Sequence, residues 1–148
     1  MFFRKSLRIS LIGGLVSLLA LPAAAAEFDV RIEGLAAAGD VHLYVFTSPE
    51  GFPKEEHAAI HRSYPRPAGT QNDLTVRISV PDAAEYALMV FQDKDGDGKM
   101  NRLLGMIPQE PYGLSRSPEV FGKPKFSDAA IKPGSPPNRE PINIRLRD

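Results

Sequence analysis

Three stretches of this sequence alternate apolar and polar residues at every second position. They are 28–32 (FDVRI), 74–80 (LTVRISV) and 142–146 (INIRL). Because successive side chains of a strand point to opposite faces of the sheet, this pattern predicts strands with one buried and one solvated face. Two further stretches, 41–46 (VHLYVF) and 86–91 (YALMVF), are apolar on both faces and are therefore predicted to be central strands.

Turn-forming residues separate these stretches. The sequence contains 14 prolines and 12 glycines, which is typical of long loops between short strands. Two weaker strand candidates, 103–107 and 129–132, bring the expected number of strands to six or seven. The pattern predicts an all-β fold: an antiparallel β-sandwich of about seven strands, immunoglobulin-like or transthyretin-like, with long Pro/Gly loops and one short helix.

The stretch 53–62 is the one segment predicted to be helical. Pro53 suits the first turn of a helix, and two glutamates soon after it favour the helix N-terminus. His57 and His61 are four residues apart, so one helical face would carry both, as in a zinc or copper pair. No third ligand is apparent nearby, and an exposed polar face is the expected role of the two histidines.

The N-terminal segment 1–26 has the three parts of a cleavable signal peptide. Three basic residues fall within its first eight positions, the uncharged apolar run 9–21 follows, and Pro22 and the alanines at 24–26 supply a break and a small-residue cleavage site. The expected mature protein is a single domain, 27–148, exported to the periplasm of a Gram-negative cell. It contains no second apolar stretch of membrane length.

The charge of the mature domain excludes one class of partner. The whole chain has 18 basic and 18 acidic residues, and the signal segment removes three basic ones, which leaves 15 against 18 and a net charge of −3. A mildly acidic domain argues against nucleic acid, because phosphate binding needs a clustered basic surface. The chain has no cysteine, so the core must hold the fold without disulfides. It has no tryptophan, which argues against a sugar-stacking surface.

The strongest chemical motif is the loop 93–101 (DKDGDGKMN). Acidic side chains at loop positions one, three and five can converge on one ion, glycine at position six permits the sharp turn, and position seven supplies a main-chain carbonyl. The loop departs from an EF-hand at position twelve, which is Leu104, and it follows a predicted strand instead of a helix. The expected ligands, with calcium as the possible ion, are Asp93, Asp95, Asp97, the Lys99 carbonyl, Asn101 and, to complete the shell, Glu110.

A plain solvated turn is the alternative interpretation of this loop. Asp and Gly are ordinary turn residues, and Lys94, Lys99 and Arg102 partly offset the repulsion among the three carboxylates. Ser115, in the sequence GLSRS, lacks the second glycine and the strand–turn–helix setting of a nucleophile elbow.

Three stretches together carry a resemblance to a known family: 85–101, 105–115 (GMIPQEPYGLS) and 125–129 (KFSDA). They are similar to the secreted bacterial family named domain of unknown function 2141. The resemblance extends from about residue 29 to residue 146. It implies export and one compact domain, and it implies no activity.

The stretch 105–115 directly follows the acidic loop and is predicted to be a long loop that packs back on the domain. Its apolar anchors would be Met106, Ile107, Tyr112 and Leu114. The leading hypothesis is an exported binding or accessory module of unknown ligand, with calcium as a structural ion. The alternative is a periplasmic hydrolase that uses Glu110, Asp128 or a metal-bound water near the acidic loop.

Overall fold

The computed structural model describes residues 25–66, 71–119, 121–132 and 140–148. All but the last two residues of the predicted signal segment lie outside these ranges. The strands are β1 (Ala25–Glu33), β2 (Asp40–Phe46), β3 (Ile60–Tyr64), β4 (Asp73–Pro81), β5 (Ala87–Asp93), β6 (Arg102–Leu103), β7 (Ile107–Pro108), β8 (Tyr112–Leu114) and β9 (Ile142–Arg145).

Seven of these strands form two sheets. The first sheet has the order β4-β1-β9, in which β1 is antiparallel to β4 and parallel to β9. The second sheet has the order β3-β2-β5-β8, and all its neighbours are antiparallel. The two remaining strands, β6 and β7, pair only with each other as a short hairpin.

The main core lies between the two sheets. Side chains from β1 and β4 on one side meet side chains from β2 and β5 on the other, and the members are mostly Val, Leu and Ile. Removing such aliphatic surface from water is the main favourable term in folding. The predicted all-β sandwich of about seven strands is therefore confirmed.

A second apolar cluster covers the opposite face of the four-stranded sheet. It is built from Tyr44, Phe46, Met89 and Phe91 of the sheet, together with residues of the loops and of the short helix α1 (Phe126–Ala129). The sheet is thus buried on both faces, and every residue of β5 is buried. This explains why 41–46 and 86–91 are apolar without alternation, and it confirms that both are central.

The helix predicted at 53–62 is wrong. The structure has a single turn of 3-10 helix at Glu55–His57, and β3 begins at Ile60. Residues of β3 pair with β2, in the register Tyr44↔His61. Their main-chain groups therefore form hydrogen bonds with a neighbouring strand, where a helix would form them within the segment. The α-helix lies instead at Phe126–Ala129, and the strand expected at 129–132 is reduced to one bridge, between Tyr86 and Ile131.

Candidate metal site

The candidate site is the acidic loop that leaves the buried end of β5 and leads into β6. Its first residue, Asp93, is the last residue of β5 and is 3% exposed. Gly96 and Gly98 both have positive φ values, 78° and 76°. Glycine adopts this left-handed conformation at little cost, whereas a residue with a Cβ would strain its own backbone there. These two glycines therefore allow the loop to curl back over Asp93.

The Asp93 carboxylate is the centre of this curl. Its Oδ1 accepts the Gly96 N–H at 2.7 Å, and its Oδ2 accepts the Gly98 N–H at 2.7 Å. Burial by itself would raise the pKa of Asp93, but the amides of Gly98 and Gly96, the Asp95 side chain and the nearby His42 together lower that pKa below its ordinary value. Asp93 is thus held ionised at the bottom of the loop.

Two exposed aspartates extend the curl toward the solvent. Asp95 Oδ1 accepts the Asp97 N–H at 3.2 Å, and Asp97 Oδ1 accepts the Lys99 N–H at 2.8 Å. The Asn101 side chain donates to Asp95 Oδ2. One carboxylate oxygen from each of Asp93, Asp95 and Asp97 lies within 4.8 Å of the others, so the three could hold a metal ion. The expected ligand role of the Lys99 carbonyl stays a prediction.

Glu110 reaches the loop from the segment between β7 and β8. It is 4% exposed. Its Oε1 accepts the Lys94 N–H at 2.9 Å, and its Oε2 accepts the Asn101 N–H at 3.2 Å. One buried carboxylate therefore joins both ends of the acidic loop through the main chain. Its expected role as a metal ligand stays a prediction, and both of its oxygens are engaged by the loop amides.

The other candidate residues have structural contacts of their own. Asp128 accepts the Lys125 N–H at 2.8 Å at the start of α1. Ser115 is fully buried; its Oγ accepts the Leu88 N–H at 3.0 Å and donates to the Ala129 carbonyl. These contacts tie α1 and β8 to β5, which suits a structural role for the serine.

The histidines are arranged differently from the expectation. His61 lies on β3, and its Nε2 is 3.0 Å from Nδ1 of the buried His42 on β2. His42 Nε2 in turn is 3.7 Å from Asp93 Oδ2. The His61 ring also stacks on Tyr44. Burial, then the nearby His42 and Arg62, lower the pKa of His61.

Sequence reasoning missed His42 as a neighbour of the acidic loop. The residue lies in a stretch that is apolar on both sides, and only the antiparallel pairing of β2 with β5, in the register His42↔Phe91, brings it near Asp93. The sequence carried no local signal for this pairing, because β3 and β4 lie between β2 and β5 along the chain.

Comparison with known proteins gives one match. The model of the family described as uncharacterized protein conserved in bacteria (DUF2141) matches residues 30–140, which is most of the chain. The chain therefore belongs to this family. No curated protein and no solved structure matches it. Among the described residues, no helix is long and apolar enough to cross a membrane, and nothing indicates nucleic-acid binding.

Proposed function

We propose that this member of the DUF2141 family is an exported binding or accessory module in which the loop 93–101 holds a calcium ion with a structural role. The observation that carries the proposal is the convergence of Asp93, Asp95 and Asp97 within 4.8 Å on one loop. Calcium is a hard cation that takes oxygen ligands in flexible geometry, and the three carboxylates repel one another without a cation.

The surroundings of the loop favour a fixed site over a mobile turn. Glu110 holds both ends of the loop, and Gly96 and Gly98 bind the Asp93 carboxylate through their amides. A loop that is already shaped loses less conformational entropy when an ion binds. The same hydrogen bonds would also stabilise a plain turn, so a measurement with calcium must separate the two.

Export is supported by the sequence of the first 26 residues. The basic start, the apolar run 9–21 and the alanines at 24–26 are typical of a signal peptide. The intact mass of the native protein tests this part, because a cleaved protein should begin within two residues of Glu27. A mass that includes 1–26 would contradict export by cleavage.

The two carboxylates of the hydrolase alternative take part in structural hydrogen bonds. Glu110 and Asp128 both accept hydrogen bonds from main-chain amides. This arrangement suits carboxylates that hold loops in place, and it favours the binding module.

The test of calcium is a thermal melt in chelator and in several millimolar calcium. The loop offers about five oxygens where calcium takes six to eight, so we expect a Kd of roughly 10⁻⁴–10⁻³ M, as in extracellular modules. At ten times Kd the ion should stabilise the fold by about 1.4 kcal/mol, which raises Tm by several degrees. Magnesium should do less, because it gives up its waters reluctantly.

Two double variants test whether the calcium response depends on the acidic loop. Changing Asp95 and Asp97 to Asn should remove most of the calcium response. The matched control changes two exposed acidic residues outside the loop, Asp82→Asn with Glu119→Gln, which alters the net charge equally and should leave the response intact. Identical melts of the unmodified protein with and without calcium would favour the plain turn.

A further inference from the structure

A cleft of about 80 Å³ lies where β8, an edge of the second sheet, meets β9, an edge of the first. Tyr112 and Leu114 of β8 line it, together with Arg145 and Arg147, and the loop that follows β8 lines it through residues such as Ser117. Pockets for whole cofactors or drug-sized ligands measure roughly 300–1,000 Å³. The cleft therefore has room for one small functional group.

Main-chain hydrogen bonds join the two sheets beside this cleft. The Tyr112 N–H donates to the Arg147 carbonyl at 3.0 Å, and the Arg147 N–H donates to the Tyr112 carbonyl at 2.9 Å. Gly113 permits the close approach of the strands, because a Cβ at this position would lie 2.5 Å from the Arg145 carbonyl oxygen. The junction of the sheets thus brings two arginines to one cleft.

The side chain of Arg147 is available to a ligand. Arg145 Nη2 lies 3.2 Å from Glu33 Oε2, and the Arg116 side chain, on the loop after β8, donates to the Ser127 carbonyl at 3.3 Å. Of the eight arginines in the part of the chain that the structure describes, Arg147 is the one whose side chain has no hydrogen bond or ion pair. A guanidinium carries five N–H donors in a planar arrangement that suits oxygen anions.

A main-chain donor of β8 is also directed toward β9. The Ser115 N–H donates to the Leu88 carbonyl of β5 at 2.9 Å, and alternate residues of an antiparallel strand direct their amides to opposite sides. The Leu114 N–H therefore points away from β5. The pairing with β9 stops at the bridge Tyr112↔Arg147, so no strand in the described ranges accepts this N–H. Leu114 is 6% exposed, and a buried amide without an acceptor is unfavourable.

The charge around the cleft is positive, although the domain as a whole is acidic. The stretches 112–125 and 145–148 contain five basic and two acidic residues, a local net charge of +3, whereas residues 27–148 together have a net charge of −3. The acidic loop leaves β5 at Asp93, toward the other end of that strand from Met89, which pairs with Leu114. A local excess of positive charge attracts anions.

The loop beside the cleft is held in one shape. The Ser117 N–H donates to the Leu114 carbonyl at 2.9 Å. Arg116 and Ser117 have φ values of 65° and 44°, a conformation that such residues keep only where the surrounding structure holds them in it. Ser117 therefore has a fixed position at the cleft, and a preformed site loses less entropy when a ligand binds.

We infer that this cleft binds a phosphate group, either as free phosphate or as the end of a phosphate monoester that extends into solvent. A carboxylate offers two oxygens, whereas a phosphate group offers at least three and carries about −1.5 to −2 charges. This number matches the donors at the cleft: two guanidinium groups, the Leu114 N–H and the Ser117 hydroxyl. The inference uses no residue of the acidic loop and does not rest on calcium.

The experiment is calorimetric titration of the full chain with inorganic phosphate and with glycerol 3-phosphate, in chelator and at constant ionic strength. We expect saturable binding with a Kd on the order of 1 mM. R147Q keeps the main-chain bonds to Tyr112 and should weaken binding at least roughly tenfold, because a charged hydrogen-bond donor is lost. R147K should also weaken it, because an ammonium group does not bind two oxygens side by side.

The matched control is R62Q, which makes the same change of charge at an exposed position on β3 and should keep the Kd within about twofold. Equal weakening in R62Q and R147Q would show an effect of net charge and overturn the site. Acetate that binds as tightly as phosphate would overturn the assignment to phosphate. The Leu114 amide resonance should shift on saturation with phosphate, and an unchanged resonance would contradict the proposed geometry.

The two phosphate compounds distinguish the sources of the group. Tighter binding of glycerol 3-phosphate would support the end of a larger molecule, and equal binding would support free phosphate. Absence of binding by both at several millimolar would overturn the inference. The double change of Asp95 and Asp97 to Asn should leave phosphate binding intact, so a failure of the calcium proposal and a failure of this site are seen in separate measurements.

Discussion

The two faces of the four-stranded sheet are buried in different ways. One face packs on a second hydrogen-bonded sheet, through mostly aliphatic side chains such as Leu88 and Val90. The other face carries aromatic residues and methionine and is covered by loop residues and the four-residue helix α1. The first core is closed by regular structure on both sides, whereas the second is closed by connecting segments. The acidic loop and the hairpin are attached on the second side, through Met100.

This difference predicts which face of the sheet opens first in local unfolding. Segments held by few hydrogen-bonded neighbours open locally at lower free energy than paired strands. We therefore expect the loop-covered face to relax around a change more readily than the face between the sheets.

A pair of leucine truncations should show the largest effect. Leu88→Ala creates a cavity between two sheets that cannot approach each other, and it should cost about 4 kcal/mol. Leu114 lies on β8 and belongs to the apolar cluster of the loop-covered face. Leu114→Ala should lower the free energy of unfolding by about 2 kcal/mol, because the covering segments can move inward and fill part of the cavity. Urea denaturation measures both free energies of unfolding. Equal costs would show that the two faces are equally rigid.

A second test concerns the attachment of the acidic loop. Glu110→Gln leaves one acceptor oxygen and places an NH₂ group against a main-chain N–H, so it should cost about 2 kcal/mol of stability. Asp128→Asn is the matched control: its carboxylate accepts the Lys125 N–H, which an amide oxygen can also do, and the cost should stay below about 0.5 kcal/mol.

The same Glu110 variant sharpens the assignment of ligands. If Glu110 only holds the main chain, the rise in Tm with calcium should survive in Glu110→Gln, although the starting Tm is lower. A calcium response that disappears along with the charge, in a variant that still folds, would show that Glu110 binds the ion itself.

The smallest expected effect is a dependence on pH at the edge of the loop-covered face. The pKa of His61 is lowered in the fold by burial and by His42 and Arg62, so the fold favours the neutral ring. The unfolded chain then binds the proton first, and the contribution to stability is fully present above pH ~6.5 and is lost as the pH falls below that value. Tm should decrease between pH 7.5 and pH 5.5, and less so in His61→Gln. Identical slopes in the two proteins would contradict this role.

The strands could be predicted because their patterns report burial directly. Alternation at 28–32 and 74–80 gave half-buried strands, and the doubly apolar 41–46 and 86–91 gave the central pair. The helix at 53–62 failed because local preference was overridden by the pairing of β3 with β2.

The three aspartates of the candidate site could be predicted from the sequence, whereas the contacts that hold their loop in place could not. The spacing of the three aspartates is local, so the sequence sufficed to group them. Glu110 is 16 residues from Lys94, and its two bonds to the loop depend on the hairpin that folds between them. Met106 and Ile107, which the sequence predicted as anchors on the core, are 76% and 53% exposed. This exposure was likewise invisible, because an apolar residue in sequence does not reveal whether any segment covers it.

The parallel pair of β1 and β9 has a consequence for how the chain folds. Glu33 and Arg145 are neighbours across this pair, 112 residues apart in sequence. Contacts of such separation require closure of a long loop before they return any stabilisation, and they are typical of slow folding. The first sheet therefore gains its third strand only after residues 142–145 have been synthesised, although β1 can pair with β4 before then.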